Sequence, residues 1–260
     1  MIIYYRISDG GYAKEKLSVS KADCLANFLT VWGFFDEEAT TAHDDTFFLI
    51  RDNLSDATWQ TIKPLINRAD DVKHKCARLR LRIYTTSEGS SAQSFRYAFS
   101  GALTQHWKDD AIVYFVEDDY LHTANARKIL LEGLERVDYV SGYDNPDKYI
   151  NWNMGGNPLI RTGGEETLVF TTKSHHWKLT NSTTMTFLTK IGILREDKDI
   201  FLKYTEGTYP LDYKMWLELR EKGRALATPI PGVSTHIETK WLSPFIIHSG
   251  KGYIEDMIYL

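Results

Sequence analysis

The sequence predicts an α/β fold with a mainly parallel, doubly wound central sheet and a less regular second half. Three observations carry this. A strand pattern followed by a helical one recurs four times between residues 2 and 134. The run 112–116 in AIVYFVEDDYLH is continuously apolar or aromatic, as in a strand buried on both faces, and it stops at three consecutive carboxylates. Beyond about residue 145, short strand patterns and loops rich in Asn, Pro and Gly outnumber helical stretches.

In chain order, residues 2–7 form the first strand, broken by Asp9, Gly10 and Gly11 before a helical stretch carrying Leu17, Ala22, Leu25, Phe28, Leu29 and Trp32. Residues 46–50 (TFFLI) repeat the pattern, ending in Arg51, Asp52 and Asn53, with a helix from Asp56 to Ile62. A third strand spans 79–84, and the loop TTSEGSSAQ leads into a helix over about 94–107 whose start offers Ser or Gln caps. The apolar strand follows, then a helix over 125–134. In the second half, 137–143 reads as a strand, 144–158 as a loop, and 167–172 with 177–186 as a β pair. Helices return over 187–204 and 211–221, and the chain closes through the Pro-rich 228–232. No repeat or flexible linker interrupts the chain, so 1–260 reads as one domain.

A chain of 260 residues can bury a core without disulfides, and Cys24 and Cys76 are too few for a disulfide framework and lack metal-ligand spacing. The formal charge of −4 gives no global field for nucleic acid, and no segment approaches the ~20 apolar residues of a membrane span. The start MIIYYRISDGG carries no cleavable apolar region, so a soluble cytoplasmic protein is expected. Lys73, His74, Lys75, Arg78, Arg80 and Arg82 form a basic cluster; its alternation suits a solvated or edge strand, with contact to an anionic membrane surface as a minor reading.

Glu117, Asp118 and Asp119 decide the functional reading. Ligands of open α/β sheets lie at the carboxyl ends of strands, and three like charges there call for a divalent cation, Mg²⁺ or Mn²⁺. The competing reading is an acidic turn or cap favouring the positive end of the following helix.

FVEDDY is similar to the D-x-D motif of the GT-A fold nucleotide-sugar glycosyltransferases, and the order of elements resembles theirs, Rossmann-like βα units first and an irregular half after. That resemblance implies a nucleotide-binding half over 1–124 and an acceptor-binding half over 125–260. It further implies that Glu117 lies near the ribose with Asp118 beside it, and that Asp119 binds the metal. The family's first acid is Asp, and here it is Glu. A late histidine, His236 in PGVSTH, would complete the metal shell. Asp212, at the start of a helix in YPLDYKMW, would be the general base of an inverting transfer, with Glu206 in reserve; an Asp there also serves helix capping. Arg6, Asp52 and Asn53 sit at strand ends where the family reads base and ribose. His176 and Trp177 fall in the acceptor half, where the imidazole would hydrogen-bond a sugar and the indole stack on it, although a Trp in a β pair is also ordinary core.

The implied partners are a nucleotide-sugar donor and a carbohydrate or lipid-linked sugar acceptor. Two alternatives compete. A sugar-nucleotide nucleotidyltransferase would want a Gly-rich basic loop after the first strand, which Gly10, Gly11, Lys14 and Lys16 only faintly resemble. A non-catalytic carbohydrate- or nucleotide-binding relative would use the acids structurally. The loop 87–94, with Gly89 and several hydroxyls, suits a phosphate but lacks the P-loop pattern.

Overall fold

The computed structural model describes residues 1–10, 15–35, 44–76 and 79–244. Gly11, Lys14 and Arg78 lie outside these residues, and the side chains of Lys73, His74, Lys75 and Cys76 are likewise not described. The first half follows the expected alternation: β1 (Ile2–Ser8), α1 (Lys21–Val31), β2 (Asp45–Asp52), α2 (Asp56–Cys76), β3 (Leu79–Thr86), α3 (Ser91–Thr104), β4 (Ile112–Glu117), a short β5 (Tyr120–His122) and α4 (Ala126–Leu134). The second half supplies β6 (Tyr139–Val140), β7 (Val169–Thr171), β8 (His176–Leu179), β9 (Phe187–Lys190), α5 (Ile191–Glu196), α6 (Lys198–Tyr204), α7 (Asp212–Glu221), β10 (Leu226–Ile230) and β11 (Ser234–His236).

Nine strands form one sheet in the order β3-β2-β1-β4-β9-β6-β10-β8-β7, and β11 pairs with β5 in a separate two-stranded ladder. β3, β2, β1 and β4 run parallel, β9 lies antiparallel between β4 and β6, and β10 is parallel to β6. The large sheet thus draws strands from both halves of the chain. Its apolar runs are continuous because both faces are covered. Ile3, Tyr5 and Ile7 meet α1, α2 and α4 on one side, while Ile2 and Tyr4 meet α3 on the other, where Phe187 packs with α6 and α7. Arg80 and Arg82 stand on β3, the sheet's edge strand, as their alternation predicts.

Among the expected elements, one departs for an identifiable reason. Residues 187–190 are a strand, not the start of a helix, because the slot between β4 and β6 pairs their backbone on both sides and the helix begins only at Ile191. Apolar spacing does not reveal such a slot. The first part of the Pro-rich segment, to Ile230, belongs to the strand β10; Pro229 is tolerated because β6 pairs only with Leu226 and Ala227, so no ladder partner needs its missing N–H on that side. None of the helices among the described residues is long and apolar enough to cross a membrane.

Helix α4 approaches the sheet closely at Gly133. A Cβ there would lie 2.3–2.8 Å from three ring atoms of Trp177, which is itself fully buried. Gly133→Ala is therefore expected to destabilise the protein by about 1–3 kcal/mol through overpacking, read as a lower melting temperature.

Candidate active site

The parallel register brings the strand ends together: Ser8 lies opposite Asp52, and Arg6 opposite Glu117. Beyond β4 the chain turns at Asp118 and Asp119 into β5, whose Tyr120 pairs with His236 of β11. This ladder carries the histidine to the acids. His236 Nε2 lies 3.0 Å from Asp119 Oδ2, and the Ile237 N–H donates to the Asp119 carbonyl at 3.0 Å. The Glu238 N–H donates to His236 Nδ1 at 3.1 Å, which leaves the ring hydrogen on Nε2, facing Asp119. Burial alone would depress the imidazole's pKa, but the Asp119 carboxylate outweighs it and raises it. Burial likewise works against Asp119 ionising, yet His236 and two nearby lysines hold its pKa down at about 2.

The other two acids are differently engaged. Asp118 accepts from the Ser8 N–H at 2.8 Å and pairs with Lys21 at 2.8 Å. Glu117 pairs with Arg6 at 3.2 Å and accepts from Thr186 Oγ1 at 3.2 Å. Burial pushes both carboxyl pKa values up, against Arg6 and Lys21 respectively. None of the three caps the next helix: α4 begins at Ala126, and its cap residue Asn125 makes no side-chain cap bond. The capping alternative for these acids does not hold.

Arg6, Asp52, Asn53, Glu117, Asp118, Asp119, Asp212 and His236 all line one cleft of about 530 Å³. Arg6 is buried, donates to the Ser91 carbonyl at 3.2 Å and lies over the Phe95 ring. Asp52 is buried and accepts from the Glu88 N–H at 2.8 Å, tying the 87–91 loop to β2; Asn53 is exposed at φ 48°. Asp212 opens α7, half-buried, with its Oδ1 accepting from the Tyr213 N–H at 2.7 Å. Burial, with the charge of Glu117 adding to it, raises its pKa to about 6 despite that hydrogen bond.

Two predicted contacts are not brought to this cleft. Trp177 is 0% exposed, stacked against Phe170 and packed on Gly133, so its ring has no face left for a sugar. His176 is exposed on β8, near the far edge of the sheet, and does not line the cleft. Trp177 is therefore core, and His176 lies apart from the cleft on β8, between β7 and β10. Glu206 is also exposed and outside the cleft. Ser90, Ser91 and Ser94 at the start of α3, Thr184 beside β9, Tyr209 and Lys16 also line the cleft. The hydroxyls of the 87–94 loop were legible in the sequence.

The layout is GT-A-like: a parallel βα half whose strand β4 ends in an acidic turn, an antiparallel strand beside it, and a ladder closing over the turn. No family model and no curated protein sequence matches the chain. Among solved structures it is similar to S. aureus TarS 1–349, at 13% identity over 87% of this chain and 57% of that one, with a TM-score of 0.45. It is also similar to the galactosyltransferase LgtC, at 10% identity, 84% and 69% coverage and a TM-score of 0.41. A third is the nucleoside-diphosphate-sugar pyrophosphorylase from Vibrio cholerae RC9, at 12% identity, 92% and 96% coverage and a TM-score of 0.46. The chain spans little more than half of the TarS fragment it resembles. At such identities and TM-scores, the chemistry rests on the cleft alone.

Proposed function

We propose that the cleft is the donor site of a metal-dependent glycosyltransferase that moves a sugar from a nucleoside diphosphate to a hydroxyl acceptor with inversion. The observation that carries this reading is the pairing of two kinds of carboxylate in one cleft: Asp119, held ionised, and Asp212, raised to about 6 and suited to accept a proton near neutral pH.

Asp119 and His236 present an oxygen and a nitrogen donor 3.0 Å apart, and no group of three or more His, Cys, Asp or Glu suited to a metal occurs among the described residues. A two-ligand set suits Mg²⁺ or Mn²⁺, whose remaining positions would go to water and phosphate oxygens; His236 would ligate as neutral imidazole through Nε2 with its hydrogen moved to Nδ1, giving up the hydrogen bond from the Glu238 N–H. The bound cation would stabilise the negative charge on the departing diphosphate. Arg6, Asp52 and Asn53 would hold the nucleoside, with Glu117 near the ribose and Asp118 fixing the loop after β1. The acceptor oxygen attacks the anomeric carbon as its proton passes to the Asp212 carboxylate. The bond to the diphosphate breaks, and its electron pair leaves on the phosphate oxygen.

The nucleotidyltransferase reading has one observation in its favour, two lysines at the acids soon after β1. It predicts turnover of a nucleoside triphosphate with a sugar 1-phosphate, which the transferase reading does not. Calorimetry with UDP and GDP, with and without Mn²⁺, tests the donor site directly. Nucleotide binding that strengthens with Mn²⁺ is expected, and its absence for both nucleotides would overturn the proposal.

A further inference from the structure

We propose that Lys16 binds the donor's diphosphate, and that in the empty cleft its ammonium holds Asp119 and competes with the divalent cation for that carboxylate. This rests on the donor-site reading. Lys16 Nζ lies 3.5 Å from Asp119 Oδ2, the same oxygen that faces His236 Nε2. The side chain is 26% exposed and lines the cleft. Its backbone is fixed to the segment that follows the histidine's strand: Lys16 bridges Glu238, the Leu17 N–H donates to the Ile237 carbonyl at 2.8 Å, and the Thr239 N–H to the Glu15 carbonyl at 3.1 Å. A lysine anchored in this way is part of the cleft wall.

The other lysine at the acids is already engaged. Lys21 uses its three donors on the Ser8 carbonyl, the Gly10 carbonyl and Asp118. Arg6, buried over the Phe95 ring, pairs with Glu117 and donates to the Ser91 carbonyl, while its Nε and Nη2 make no hydrogen bond among the described residues. Among the described residues Lys16 has a single acceptor, at the long end of hydrogen-bond distance, so its ammonium retains donors for phosphate oxygens. A compact point charge on a flexible stem can turn from Asp119 to a phosphate without moving the backbone. A divalent cation on Asp119 and an ammonium at 3.5 Å from the same oxygen repel each other, so each weakens the other until an anion arrives to share them.

The test compares the wild type with Lys16→Met and Lys16→Arg, by calorimetry with UDP and GDP and by electron paramagnetic resonance of Mn²⁺. In Lys16→Met, Mn²⁺ is expected to bind about three- to fivefold more tightly without nucleotide, and the nucleotide about three- to fivefold more weakly without metal, the scale of one partly exposed ion pair. Lys16→Arg should retain the wild-type nucleotide affinity, which a loss of folding would not. If the wild type binds nucleotide and Mn²⁺ but Lys16→Met changes neither, the role of Lys16 is overturned while the donor site stands. Failure of the wild type to bind either ligand overturns both.

Discussion

Asp212→Asn is expected to lower sugar transfer by about 10²–10⁴-fold, the usual contribution of a positioned general base, while leaving binding of the nucleotide nearly unchanged. The pH profile should change with it. With its pKa raised to about 6, Asp212 is protonated and idle below that pH, so the wild-type rate rises through pH 6 and levels off above it. The asparagine variant has no such limb. Stability should move the opposite way from activity. The native state holds a proton on Asp212 between the unfolded value of 3.8 and about 6, so stability falls as pH rises through that window and stays lower above it. Removing the charge is therefore expected to raise stability at pH 8, on the order of 1–2 kcal/mol, as a higher melting temperature. Full transfer by Asp212→Asn, or no pH limb near 6 in the wild type, removes Asp212 as the base.

Asp119→Ala should abolish the Mn²⁺ dependence of nucleotide binding and reduce donor turnover by about 10²-fold or more, corresponding to several kcal/mol of lost charge stabilisation. Here the stability effect has the other sign. Asp119 titrates at about 2 in the fold against 3.8 unfolded, so its ionised form stabilises the protein above pH 3.8, and that contribution is lost as pH falls through about 2. Its removal is expected to lower the melting temperature at neutral pH, at a cost on the order of 1–2 kcal/mol, and leaves His236 and Lys16 without their shared partner. Asp119→Asn keeps the side chain's shape and should show the same loss of metal dependence. Undiminished donor turnover in either variant sinks the metal assignment. The two carboxylates thus differ in the sign of their effect on stability, which a melting series across pH resolves without any knowledge of the acceptor.

The parallel core was legible because strands β1, β2 and β4, buried on both faces, write themselves as unbroken apolar runs. β9 was not legible: FLTK followed by IGIL fits a helical period, and only the neighbouring strands β4 and β6 turn its first residues into a strand. In the cleft, Glu117, Asp118 and Asp119 stood out because three consecutive carboxylates end an unbroken apolar run, and Asp212 because it opens a helical pattern. Lys16 showed only as part of a faint Gly-rich basic loop after the first strand, and what distinguishes it is a backbone bridge to a residue far along the chain. Trp177 misled for the converse reason. Its position in a β pair was read correctly, but whether an indole faces solvent or a helix depends on Gly133, which lets α4 come close enough to cover it.

The ladder between β5 and β11 makes competence a property of the finished fold. The acidic turn is complete by residue 119, yet the histidine that answers it arrives on β11, and Thr239 reaches back to Glu15 across 224 positions. A chain folded only through its first half would hold Glu117 and Asp118 against Arg6 and Lys21 but leave Asp119 without its histidine. Joining the two ends of the described chain also couples local events: loosening the segment around Glu15 would disturb His236, and anything that grips both Asp119 and His236 would tie β11 to the turn after β4.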